Sequence, residues 1–259
     1  MDYFVTIIVT FLAGMGAGLG TGFAGMSAAA VITPMLITFL GVNPYTAVGI
    51  ALASDVLASG VSAFTYKKNK NLDVKNGLLM MAMVLLFTIV GSYVSSVVPA
   101  QTMGGFSTFV TLMLGVKFIL KPVMTTKAQM ESVSKKRRMI GSVISGVFIG
   151  FICGFVGAGG GMMMLLILTG VLGYELKTAV GTSVFIMTFT AFTGAVSHFS
   201  LGDSPDLLIM SLCVAFTFIW ARIAAKFANK AKPETLNRVV GVILVVLGAV
   251  ILGFEYFVK

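Results

Sequence analysis

Charges and turn residues cut this chain into apolar runs long enough to cross a lipid bilayer, and little lies between them. The long runs cover residues 3–23, 45–64, 77–98, 103–120, 139–156, 176–199, 207–227 and 236–257, with shorter ones at 26–40 and 162–172. At a rise of 1.5 Å per residue, about 20 helical residues span the roughly 30 Å hydrocarbon core. The runs are continuously apolar rather than alternating, which points to helices and not to a barrel. Composition agrees: 58% of residues are hydrophobic and 10% charged, at a mean hydropathy of +1.02. A soluble domain carries about 25% charged residues, so a cytosolic enzyme, a secreted domain and a disordered chain are excluded. The expected fold class is an all-α membrane protein.

Eighteen Lys and Arg stand against nine Asp and Glu, a net charge of +9. Lys67, Lys68, Lys70 and Lys75 share one loop. Lys121, Lys127, Lys135, Lys136, Arg137 and Arg138 share a central connector, and Arg222, Lys226, Lys230, Lys232 and Arg238 surround the last loop. Cations gathered in short loops follow the positive-inside rule rather than the solvated basic face of a nucleic-acid binder. These loops are expected in the cytoplasm, and both termini outside. No basic region precedes the first apolar run, so it is expected to remain as a span instead of being cleaved. Cys153 and Cys213 have no Cys or His at metal spacing and are expected to be small buried hydrophobes. No cofactor or metal is expected, and no nucleophile, acid and base set suggests an enzyme.

The halves repeat. An offset of 132 residues gives eleven gap-free identities, pairing Gly14, Gly18, Gly22, Phe23, Gly25, Gly41, Thr46-Ala47-Val48-Gly49 and Ala63 with Gly146, Gly150, Gly154, Phe155, Gly157, Gly173, Thr178-Ala179-Val180-Gly181 and Ala195. The expected organisation is a first repeat at 1–121, a basic connector at 122–138 and a second repeat at 139–259. With the connector inside and both termini outside, each half crosses an odd number of times, so the repeats have inverted topology. Inverted repeats with broken or re-entrant helices meeting at the bilayer midplane are a transporter architecture.

Each half has a candidate break. Residues 154–161 hold five glycines, a poor helix interior at roughly 1 kcal/mol each against Ala. Residues 18–27 are the counterpart. The short run after each break is either a re-entrant half-helix or a thin crossing. A helix that begins in the bilayer presents unpaired amides and a positive dipole end, which favours an anion. Gly157, Gly159, Gly160 and Gly161 allow close approach of a ligand to that backbone. Gly25 and Ser27 are the counterparts of Gly157 and Gly159, Ser27 as a hydroxyl donor and N-cap, and Gly22 is that of Gly154. Gly14, Gly18 and Gly22 equally fit close helix packing. Thr182 and Ser183 offer further hydroxyls. Asp55 is an acid about halfway along an apolar run, and its neighbours Ala51, Ala58, Ser59 and Ser62 form a small polar stripe expected to face the protein interior. Asp55 is the expected proton or cation coupling site. His198 is expected at an outer helix end, Trp220 and Arg222 as interfacial anchors, Glu175 and Lys177 as a local ion pair, and Met162, Met163 and Met164 as packing residues.

These residues resemble a family. The glycine stretch 154–161, a short apolar run and then Thr178-Ala179-Val180-Gly181-Thr182-Ser183 look like the TauE/SafE sulfite exporter family, also called the 4-toluene sulfonate uptake permease family. The first half is a degraded copy, with Ser27-Ala28-Ala29 in place of the triple glycine, and it keeps Pro34, which resembles a proline the family often has there. The resemblance implies a secondary transporter for sulfite, sulfonates, thiosulfate or similar anions in the bacterial inner membrane. The alternative is an uncoupled channel for a small anion. The partners expected are the anionic substrate and the lipid bilayer; a homodimer is left open.

Overall fold

The computed structural model describes residues 3–96, 104–156, 160–201 and 205–257. The described residues form helices joined by turns: α1 (Tyr3–Ala24), α2 (Ala29–Leu40), α3 (Pro44–Lys68), α4 (Val74–Ser96), α5 (Gly104–Leu120), α6 (Lys127–Ser132), α7 (Lys135–Val156), α8 (Gly160–Gly170), α9 (Leu176–Leu201), α10 (Leu207–Lys230) and α11 (Pro233–Phe257). Among them, six helices are long and apolar enough to cross a membrane. The outer surface is itself apolar: Leu86, Ile89, Phe148, Phe192 and Ile223 are exposed. That pattern suits a lipid-facing surface.

Several boundaries differ from those read off hydropathy, as where α3 runs on to Lys68. Helix α7 begins at Lys135 rather than Met139, because Lys and Arg are good helix formers even where they end an apolar run. The central connector also contains α6, started by a reciprocal capping box between Thr126 and Gln129.

The 132-residue offset carries over to the elements. Shifting α1 by 132 gives 135–156, the bounds of α7, and α2 to α5 fall on α8 to α11 within a few residues. The packing partners exchange in the same way. Helix α1 packs on α10 while α7 packs on α4; α3 packs on α9 and α5 on α11. A methyl group on Gly14, Gly18 or Gly22 would run into Phe216, Thr217, Trp220, Ala221 or Ala224 of α10. One on Gly146 or Gly150 would run into Met80, Met83, Val84 or Phe87 of α4. Lipid offers no hydrophobic drive for helix association, so such seams depend on close backbone approach.

The short helices fold back on the long ones. Val31 of α2 lies beside Gly16 of α1, and Met26 beside Gly20. Likewise Leu172 lies beside Gly141 of α7. Thus α1–α2 and α7–α8 are helical hairpins with the short helices as their second arms. Gly25, at φ +63°, makes the first tip, where its amide bonds Thr21 O and the Thr21 hydroxyl donates to Met26 O at 2.8 Å. Both returning arms end at left-handed glycines paired by the repeat, Gly41 and Gly173.

Candidate functional site

The first tip is built around a carboxylate. Ser27 Oγ donates to Asp55 Oδ2 at 2.7 Å, Ser59 Oγ donates to Asp55 Oδ1 at 2.9 Å, and the Ala28 amide adds a further hydrogen bond. Ser27 Oγ also accepts from Ala29 N at 3.3 Å, so one hydroxyl links the start of α2 to α3. Asp55 is 1% exposed and Ser59 fully buried, whereas Ser27 is only half-buried. The stripe of Ala51, Ala58, Ser59 and Ser62 does face the interior. An α-helix carries about half a positive charge at its N-terminus, favourable to an anion. At α2 that anion is the protein's own Asp55.

The second tip is next to the first. Ser183 Oγ of α9 lies 3.3 Å from both Gly25 O and Gly161 O, and 3.7 Å from Met187 Sδ. A Cβ on Gly161 would come within 2.2 Å of Gly25 O and 2.5 Å of Met187 Sδ. The hairpins therefore meet backbone to backbone, with Ser183 bridging them. The repeat offset maps Asp55 onto Met187, so a thioether stands near the start of α8 where a carboxylate stands near the start of α2.

The other candidates are placed as follows. Gly160 opens α8. Gly157 and Gly159 lie outside the described residues. Gly22 sits in the α1–α10 seam, and its carbonyl accepts from Tyr66 Oη at 2.9 Å. Thr182 is turned away from Ser183: its Oγ1 accepts from Asp73 N at 3.2 Å, at the α3–α4 loop. The glycines of the repeated Thr-Ala-Val-Gly motif mark the antiparallel α3–α9 crossing, Gly181 against Tyr66 and Asn71, Gly49 against His198 and Phe199. Glu175 and Lys177 do not pair. Glu175 accepts from the Thr178 hydroxyl, and Lys177 donates to Asn229 O at 3.0 Å. His198 stacks on Tyr45 at 4.4 Å between ring centroids, and Arg222 is exposed.

Sequence reasoning passed over Met187 and the Asp73 cluster. The repeat offset applied to Asp55 points to the first. For the second there was no signal, because Asp73 meets Tyr174 Oη at 2.9 Å and Arg138 at 3.8 Å only through tertiary contact. Burial, reinforced by the Asp73 carboxylate, pushes the Tyr174 phenol well above its ordinary range, which keeps it a donor.

Comparison with known proteins points to membrane proteins. The family model described as sulfite exporter TauE/SafE matches residues 10–251. The probable membrane transporter protein YunE of Bacillus subtilis (strain 168) is 25% identical over 266 residues, covering 96% of each chain. The probable membrane transporter protein YdhB of the same strain is 26% identical over 228 residues, covering 86% of this chain and 89% of that one. The probable membrane transporter protein MJ0441 of Methanocaldococcus jannaschii is 25% identical over 258 residues, covering 93% and 92%. No solved structure matches.

Proposed function

Because the chain belongs to the TauE/SafE sulfite exporter family of membrane proteins, we propose that it is a secondary transporter of small sulfur-containing anions, such as sulfite, sulfonates or thiosulfate, and that Asp55 couples transport to protons or a cation. The protein resides in the bacterial inner membrane with the basic loops in the cytoplasm and both termini outside. Its halves are inverted repeats. The exchanged packing pairs, α1 on α10 and α7 on α4, support that relation. An inverted repeat sends one hairpin tip to the other across the midplane, so tips in contact lie near the midplane, where substrates of such transporters bind.

The observation that carries the reading is the unequal charge at the two tips. A second anion 4 Å from the Asp55 carboxylate would cost about 4 kcal/mol at an effective dielectric of 20. The start of α8, at Gly160 and Gly161 with Ser183 beside it, has no such carboxylate and receives the substrate anion. Substrate and the charge state of Asp55 are then linked through one tip-to-tip contact. Access alternates as one half moves against the other.

Counterflow in proteoliposomes tests this. Labelled sulfite, thiosulfate and a sulfonate are offered with and without imposed pH and sodium gradients. Trans-stimulated exchange that responds to one gradient is the expected result. Flux that follows the anion gradient alone, without trans-stimulation, identifies an uncoupled channel instead.

A further inference from the structure

A second basic feature lies away from the hairpin tips. The α3–α4 loop, α6 and the start of α7 border an open-mouthed cavity of about 1100 Å³. Its wall carries six cations, Lys70, Lys75, Lys127, Lys135, Lys136 and Arg138, against two acids, Asp73 and Glu131. Asp73 is already committed to Arg138, Tyr174 and Asn76. Among the described residues the Arg138–Asp73 contact is the one ion pair, and Lys75, Lys135 and Lys136 are exposed with no acid within 4.0 Å. Helix α6 is tied across the cavity as a wall: Lys127 Nζ donates to Lys70 O, and the Arg138 guanidinium donates to Met130 O. Leu72, Val74, Leu79, Met130 and Met139 also line it, so the cavity has an apolar wall beside its cationic one.

A loop that only reports membrane orientation needs cations, not a concave site for them. Three unpaired ammonium groups around one cavity leave a positive charge excess that attracts a multiply charged anion, and the apolar wall accommodates hydrocarbon. We propose that this cavity binds a phosphate group, carried either by the headgroup of an anionic phospholipid or by a free phosphate-bearing solute. The site is independent of the substrate reading above and does not draw on it.

Thermal unfolding of the purified full chain in detergent tests it. The arms are phosphatidylglycerol against phosphatidylcholine in mixed micelles, and sodium phosphate against sodium chloride at equal ionic strength. A ligand bound only by the folded state raises the melting temperature, here by about 5 °C at saturation. A rise with phosphatidylglycerol alone identifies a lipid headgroup; a rise with phosphate alone identifies a soluble ligand; a rise with both identifies the shared phosphate. The shift disappears in Lys75→Gln/Lys135→Gln/Lys136→Gln and persists in the corresponding triple Arg variant. Equal melting temperatures within each pair of arms, or a shift that survives the triple Gln substitution, overturn the proposal.

Discussion

Ser27 and Asp55, 28 residues apart, are joined by a 2.7 Å hydrogen bond that places a buried carboxylate at the start of a helix. Dipole, hydroxyl and carboxylate satisfy one another there. The arrangement is also the natural place for a charge change to alter structure, since neutralising Asp55 loosens the tie between α2 and α3.

Asp55→Asn tests the coupling. Asn is nearly isosteric but loses one acceptor, so either Ser27 or Ser59 is left without its partner. The expected cost is about 1–3 kcal/mol of stability. Anion exchange persists at a reduced rate but no longer responds to the pH or sodium gradient. Gradient-dependent uptake at wild-type level by the folded variant would defeat the coupling role.

Ser27→Ala removes a donor from the carboxylate and the acceptor for Ala29 N at the start of α2 together. A loss of about 1–3 kcal/mol is expected, seen as a lower melting temperature. Ser27→Thr keeps the hydroxyl and recovers most of it. Equal melting temperatures for the Ala variant and the wild type would show that the bond contributes nothing.

Met187→Asp gives the second tip the charge of the first. With a carboxylate beside both helix starts, substrate-induced thermal stabilisation and transport are expected to vanish. Met187→Leu keeps the volume and stays neutral, so it retains both, at a packing cost of under about 1.5 kcal/mol. Substrate stabilisation of a folded Met187→Asp variant would place the anion elsewhere.

Gly161→Ala and Gly41→Ala separate contact from backbone strain. At Gly161 the new methyl meets Gly25 O at 2.2 Å, and the tips must part. Transport is expected to fall at least tenfold in proteoliposomes of matched protein content. At Gly41, φ is +60° with nothing within 4 Å, so the cost is backbone strain of roughly 1 kcal/mol with transport retained. Comparable transport by both variants would mean that the tip contact is not needed.

Much of the helical framework was legible in the residues because helix formation in lipid is local. Each amide must bond within its own segment, so an apolar run of sufficient length specifies a helix without reference to its neighbours. Gly41 and Gly173, paired by the 132-residue offset, are both left-handed in the structure. Asp55 stood out as a charge in an apolar run. The hairpins were not legible, because run length reports how far a helix reaches and not which way the chain turns at Gly25.

Tertiary structure decided which polar groups meet. It set Ser183 between Gly25 and Gly161, turned the adjacent Thr182 toward Asp73, and assigned Gly22 to the α10 seam. Neighbours on a helix point about 100° apart, so two hydroxyls adjacent in sequence serve different surfaces once the helix's rotation is fixed. That rotation and the depth of each helix depend on the packing of all the others, which no local run of residues contains.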